Sequence, residues 1–126
     1  CAALLIWTVI PWPAAPDAPQ RFADADKFLR GPVAALPENS WVIAFSPSSV
    51  KSAARRPAVS PYLLLDDESW LSRLGPEPYL LRDYWWDKRP GDAKKIERLL
   101  ETKFRLVPTA AGDCATSCEL VALRPR

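Results

Sequence analysis

Fourteen prolines in 126 residues fall between the apolar runs of this chain rather than inside them. Proline removes a backbone donor and blocks helix interiors and central strands. A chain punctuated so often can fold only into short elements joined by tight connections. The apolar runs are long enough to build those elements, so the prolines divide an ordered chain and do not signal disorder. Four of them, Pro11, Pro13, Pro16 and Pro19, make "PWPAAPDAPQ" a stiff, extended linker.

Before that linker stands an apolar run, Cys1 to Ile10, with Thr8 as its polar residue and no charge. Crossing a bilayer core takes roughly 20 apolar residues in a helix, so this run supplies about half a span. It has neither the positive leader nor the small-residue cleavage site of a signal peptide. Trp7 and Trp12 sit where an aromatic belt would lie as a helix leaves a membrane. The expectation is that residues 1–12 end a transmembrane helix, residues 13–20 form the linker, and residues 21–126 form one extracytoplasmic domain. A buried N-terminal helix or strand of an ordinary domain, or a lipoprotein modified on Cys1, are the alternatives.

Without its first 20 residues the chain keeps 106, enough for one compact domain with a single core. A formal net charge of +2 on 25% charged residues gives no basic excess, which argues against nucleic acid as a partner. The basic residues from Lys88 to Arg105 alternate with Asp92, Glu97 and Glu101, as on a solvated helix face.

The elements alternate in type. "RFADADKFLRGP" places Phe22, Ala25, Phe28 and Leu29 on one helical face, with Gly31-Pro32 as a stop. "SWVIAF" predicts a buried strand over Trp41 to Phe45, and "PYLLLDD" a second around Tyr62 to Leu65. Asp66 or Asp67 then caps a short helix carrying Trp70, Leu71 and Leu74. "YLLRD" predicts a third strand over Tyr79 to Arg82, joined to the second by that helix with parallel neighbours. Ile96, Leu99 and Leu100 share a helical face after an Asp92 cap, and "FRLVP" and "ELVALRP" form a closing antiparallel hairpin. The predicted fold is a small α/β sandwich: a mixed sheet of about 4–5 strands with helices packed on it.

Two stretches carry chemistry. In "GDCATSCEL", Cys114 and Cys118 do not have redox or zinc-ribbon spacing, and there is neither a histidine nor a second cysteine pair to complete a metal site. A loop between strands can bring two cysteines to the roughly 5.5 Å Cα separation of a disulfide. Such a small ring contributes ~2 kcal/mol and implies an oxidising compartment. The alternatives are two reduced cysteines in a cytosolic hairpin or a reactive pair.

In "RDYWWDKRPGD", Asp83, Tyr84, Trp85, Trp86 and Asp87 crowd aromatic and acidic groups just past the end of a strand, where open α/β sheets place ligands. Indole faces beside carboxylates suit a sugar ring. They suit equally a membrane headgroup layer, a protein interface, or plain packing.

Catalytic residues are not identified. Without histidine, Ser-His and Cys-His nucleophiles are excluded. The acidic groups Asp66-Asp67-Glu68, Asp83 with Asp87, and Asp24 with Asp26 read as helix caps more readily than as an acid/base pair. "FSPSSV" lacks a phosphate-loop glycine pattern and reads as a loop. No metal and no cofactor is expected.

The order of apolar run, proline-rich exit, "FLRGPVAALPENSWVIAFSP", "PYLLLDD", "YLLRDYW", "LLETKFRLVP" and "CELVALRP" resembles the C-terminal extracytoplasmic domain of bacterial GT-C-type polytopic glycosyltransferases. That group includes the protein-mannosyltransferase and aminoarabinose-transferase-like families. The resemblance implies an inner-membrane protein with this domain on the periplasmic side, and a sugar delivered on a polyprenyl phosphate. It places the parent's catalytic acids in loops outside this chain. Implied partners are the bilayer and a glycan or polyprenyl-linked sugar. A membrane-anchored periplasmic module recognising a protein or glycan is the reading from a different class.

Overall fold

A computed structural model describes residue 23 and residues 25–112 and 118–126. Five strands form one mixed sheet: β1 (Val42–Ile43), β2 (Ala58–Val59), β3 (Tyr79–Arg82), β4 (Phe104–Gly112) and β5 (Cys118–Pro125), in the spatial order β2-β1-β3-β5-β4. β1 runs parallel to both β2 and β3, and β5 is antiparallel to β3 and to β4.

Helices cover both faces of this sheet. Strand side chains alternate between faces, so Val42, Ala58 and Leu81 point to one side and Ile43, Val59 and Leu80 to the other. The first side is covered by α1, a helix over 25–33 whose last turn is Leu29–Val33, and by α2, which runs from Pro47–Ser49 into Val50–Ala54. The second side is covered by α3 (Pro61–Asp66), a 3₁₀ turn (Glu68–Arg73), α4 (Tyr84–Lys88) and α5 (Pro90–Glu101). Leu64, Leu71, Leu74, Ile96 and Leu100 form the larger core there. The molecule is therefore the α/β domain with a mixed sheet that the sequence predicts, and its helices lie on both faces of the sheet.

Three expectations need correction. Tyr62 to Leu65 lie on a helix, α3, and not on a strand. Ser60 accepts a hydrogen bond from the N–H of Tyr62 and Pro61 takes the first helical position, so the run starts as a helix, while β2 is the shorter Ala58–Val59 upstream. The second and third strands are not neighbours, because β1 separates them. Gly31-Pro32 does not stop the first helix: α1 carries both through a wide π-helical turn. Widening is how a helix accommodates a proline ring that would meet the carbonyl four residues back.

Local sequence explains the other boundaries. Asp67 caps the 3₁₀ turn, accepting from the N–H of Ser69 at 3.0 Å and from its hydroxyl at 2.6 Å. Arg55, at φ 54°, takes the left-handed conformation that ends α2. Pro90 opens α5, and Asp92, in its first turn, uses its carboxylate on the Tyr62 hydroxyl rather than as a cap. The described residues include no helix long and apolar enough to cross a membrane, and residues 1–12, the expected span end, lie outside them.

Candidate functional site

The chain path defines one place where the helices part. From β1 the chain crosses to β2 through α2 on one face of the sheet, and from β2 to β3 through α3 and the 3₁₀ turn on the other. Connections leaving for opposite faces open a crevice between β1 and β3, beyond the carboxyl ends of those strands. In doubly wound sheets that switch point is where ligands bind.

A cavity of about 260 Å³ lies there. Ser46 enters it just after β1, Leu81 and Asp83 from the end of β3, and Cys118 from the start of the antiparallel β5. Phe28 and Leu29 of α1 with Val50 of α2 give it an apolar lining, and Ser49 and Ser52 add hydroxyls. Asp26 and Arg30, paired at 2.8 Å, stand at its edge. Both helical walls contain a π-helical turn, Leu29–Val33 and Val50–Ala54. Such turns are uncommon and concentrate at functional sites.

Asp83 is the group this pocket treats most unusually. Its carboxylate accepts from the N–H of Trp85 at 3.1 Å and so caps α4. Burial pushes its carboxyl above the ordinary carboxylate range; N–H groups of Trp85, Trp86 and Asp83 itself pull the other way, and the nearby Asp87 charge adds to the rise. Asp67, exposed and held by the Ser69 hydroxyl and N–H, is lowered instead.

The five side chains singled out in "DYWWD" divide. Asp83 and Trp85 line the cavity, and Trp85 remains 38% exposed. Tyr84 stands edge-on to Trp85, with ring centroids 5.2 Å apart, and is approached by Lys88. Trp86 is buried in the core on the opposite face, 5.5 Å from Phe45. Asp87 acts on the cavity through its charge on Asp83. Of the cysteine pair, Cys118 is buried in the cavity wall and Cys114 lies outside the described residues. Among the described residues no three His, Cys, Asp or Glu side chains gather as a metal site.

The serine-bearing wall was not legible as such, because "FSPSSV" reads as a loop. Its signal is the Ser46-Pro47 pair, a helix-starting combination with proline at the first helical position. A second hollow, about 360 Å³, lies at the other end of β3 beside Glu38, Glu77 and Tyr79. Burial raises the Tyr79 phenol, Glu77 adds to that, and Arg124 opposes it. That end is away from the switch point and lacks an exposed aromatic face.

Beyond the cavity, across Trp85, Arg89 is held between aromatic rings. Its guanidinium carbon is 5.6 Å from the ring centre of Phe45 and 5.7 Å from those of Tyr62 and Trp85. It donates to the Tyr62 hydroxyl at 2.7 Å, which donates in turn to Asp92 at 2.7 Å. No family model, curated protein or solved structure matches this chain, so its reading rests on this geometry and on the sequence.

Proposed function

We propose that this chain is a non-catalytic extracytoplasmic domain of an integral-membrane, glycosyltransferase-like protein, and that it holds a sugar ring in the cavity between β1 and β3. The observation that carries the reading is the joint placement of Asp83 and Trp85 in that cavity. A half-exposed indole offers a flat face to the C–H side of a pyranose, and a carboxylate with three serine hydroxyls can meet its hydroxyls. About 260 Å³ is at the small end for ligand pockets and suits one ring rather than a chain of them. The membrane attachment expected for residues 1–12, and the oxidising compartment that a Cys114–Cys118 bridge requires, belong to the same proposal.

Affinity for a single neutral sugar is modest on general grounds. About twelve heavy atoms at roughly 0.3 kcal/mol each give a Kd on the order of millimolar. The test is titration of the chain with neutral monosaccharides, read by calorimetry and tryptophan fluorescence, for the parent and for Trp85→Ala. The expected result is millimolar binding of at least one hexose and a loss of about tenfold in the variant, the scale of one stacked aromatic contact. Equal binding by the variant, or none by either protein, removes the reading.

A further inference from the structure

Charge on α5 is divided by side. A helix turns once every 3.6 residues, so Ala93, Ile96 and Leu100 form its buried side, while Lys94, Lys95 and Arg98 stand together on the opposite one, all three exposed. The acids of the same stretch are used inward. Glu97 accepts from Arg82 at 2.6 Å, and Asp92 accepts from the Tyr62 hydroxyl at 2.7 Å. In the sequence, basic and acidic residues alternate here as on a solvated face; the fold withdraws two of the acids and leaves a basic stripe. Among the described residues, no side-chain hydrogen bond or ion pair engages Lys94, Lys95 or Arg98.

The stripe does not serve its own helix. Lys94 and Arg98 are four apart and Lys95 and Arg98 three apart, spacings at which like charges destabilise a helix. Nor does it suit a protein interface. Lysine is depleted from such surfaces, and their centres are apolar or aromatic, whereas the other exposed positions of α5 are Pro90, Gly91 and Glu101. Closely spaced cations on long stems, with no apolar centre, complement a diffuse layer of negative charge. The stripe is also separate from the cavity, because α5 covers the side of the sheet opposite to α1 and α2.

We infer that the outer side of α5 docks on a bilayer surface bearing anionic lipid headgroups. The inference goes beyond the glycan reading and takes from it only the attachment near a membrane. Each lysine or arginine close to such a surface adds about fivefold in affinity, so three supply on the order of a hundredfold, and salt weakens all of them. Attachment through the same chain makes that enough to hold one side of the domain to the bilayer, because the second contact is then intramolecular.

The test is brief acylation of lysines by a water-soluble reagent on the 126-residue chain, read residue by residue by mass spectrometry. It is done without vesicles, with phosphatidylcholine vesicles, and with vesicles of equimolar phosphatidylcholine and phosphatidylglycerol, at low salt and at about 0.15 M salt. Lys27 of α1 and Lys51 of α2, exposed on the other side of the sheet, are internal references. The expected result is that anionic vesicles slow the labelling of Lys94 and Lys95 by about tenfold or more at low salt, and that of Lys27 and Lys51 much less. Salt restores the labelling, and Arg98→Gln, which removes one cation of three, weakens the protection by about fivefold. Absence of protection, equal protection of all four lysines, or the same protection on neutral vesicles overturns the inference. Protection without vesicles that grows with protein concentration assigns the stripe to a protein surface and overturns it as well. The glycan reading is tested by sugar titration without vesicles, so its failure and the failure of this inference are told apart.

Discussion

At Asp83 two demands meet on one carboxyl. As the cap of α4 it is worth keeping charged, and as a partly buried group beside Asp87 it is costly to charge; the second wins, and its proton affinity is raised. A raised carboxyl means that the folded state binds this proton more tightly than the unfolded chain does. Its effect on stability is absent below the unfolded value of about 3.9. The penalty grows as pH rises from there through the folded value, and persists above it. Asparagine caps a helix as well as aspartate and carries no charge. Asp83→Asn is therefore expected to be more stable than the parent at pH 7, with the advantage vanishing below pH 4. Urea denaturation at several pH values checks this, and an advantage of the same size at every pH would contradict it. On the reading proposed above, the same variant should also bind sugar more weakly, because Asp83 lines the cavity. Asp83 and Trp85 were legible from "RDYWWD" because a strand end followed by indoles and acids is a recognisable juxtaposition. That Trp86 turns into the core was not legible, since adjacent residues on a short helix diverge by an amount the sequence does not state.

Elements here are short, and their ends carry much of the order. Arg56 shows this best. Its Nη2 donates to the carbonyls of Ala34 and Leu36, both at 2.8 Å, its Nε to Leu36 at 3.0 Å, and its Nη1 to Arg55 at 3.1 Å and Ala54 at 3.4 Å. One guanidinium thus joins the carbonyls beyond the end of α1 to those at the end of α2, where helices leave acceptors unpaired. Those are the two helices that wall the cavity. Removing it should cost about 2–3 kcal/mol, the scale of hydrogen bonds to a charged group. The expected order of stability in denaturant is parent, then Arg56→Lys, then Arg56→Ala, because a point ammonium cannot span the same acceptors. An Arg56→Lys variant as stable as the parent would show that charge alone suffices.

The elements also show which signals the sequence carries. The α5 pattern of Ile96, Leu99 and Leu100 and the strand Tyr79–Arg82 were readable because period and length agree. "PYLLLDD" was misread because a short apolar run fits a buried strand or a helix equally well. The deciding facts were Ser60 and Pro61 ahead of it, and a burial pattern in which Pro61 and Leu64, three apart, are buried while Leu63 is 37% exposed. Local chemistry at the start of the element outweighed composition in its middle.

Across the whole molecule, sheet order is the least legible level. No local pattern says that β1 sits between β2 and β3, and the switch-point cavity exists only because it does. The sheet's long edge is β4, where Pro108 cannot donate to a neighbour and the register shifts between Pro108 and Ala110. Both features blunt an edge against pairing with another chain. β5 lies inside the sheet, bonded to β3 through Tyr79↔Ala122 and its neighbours and to β4 along most of its length. It is also the last of the five strands in the chain.

A strand that is central in space and last in sequence sets a timetable for synthesis. While the ribosome has produced only β1 to β4, no strand pairing joins the three parallel strands to β4, and β3 presents a bare edge. The domain must then stay open until residues 118–125 have emerged. Nascent chains arrested before Cys118 should be digested rapidly by a protease, while chains that have extended well past residue 126 resist it. Protection already present without β5 would show that the parallel half folds by itself.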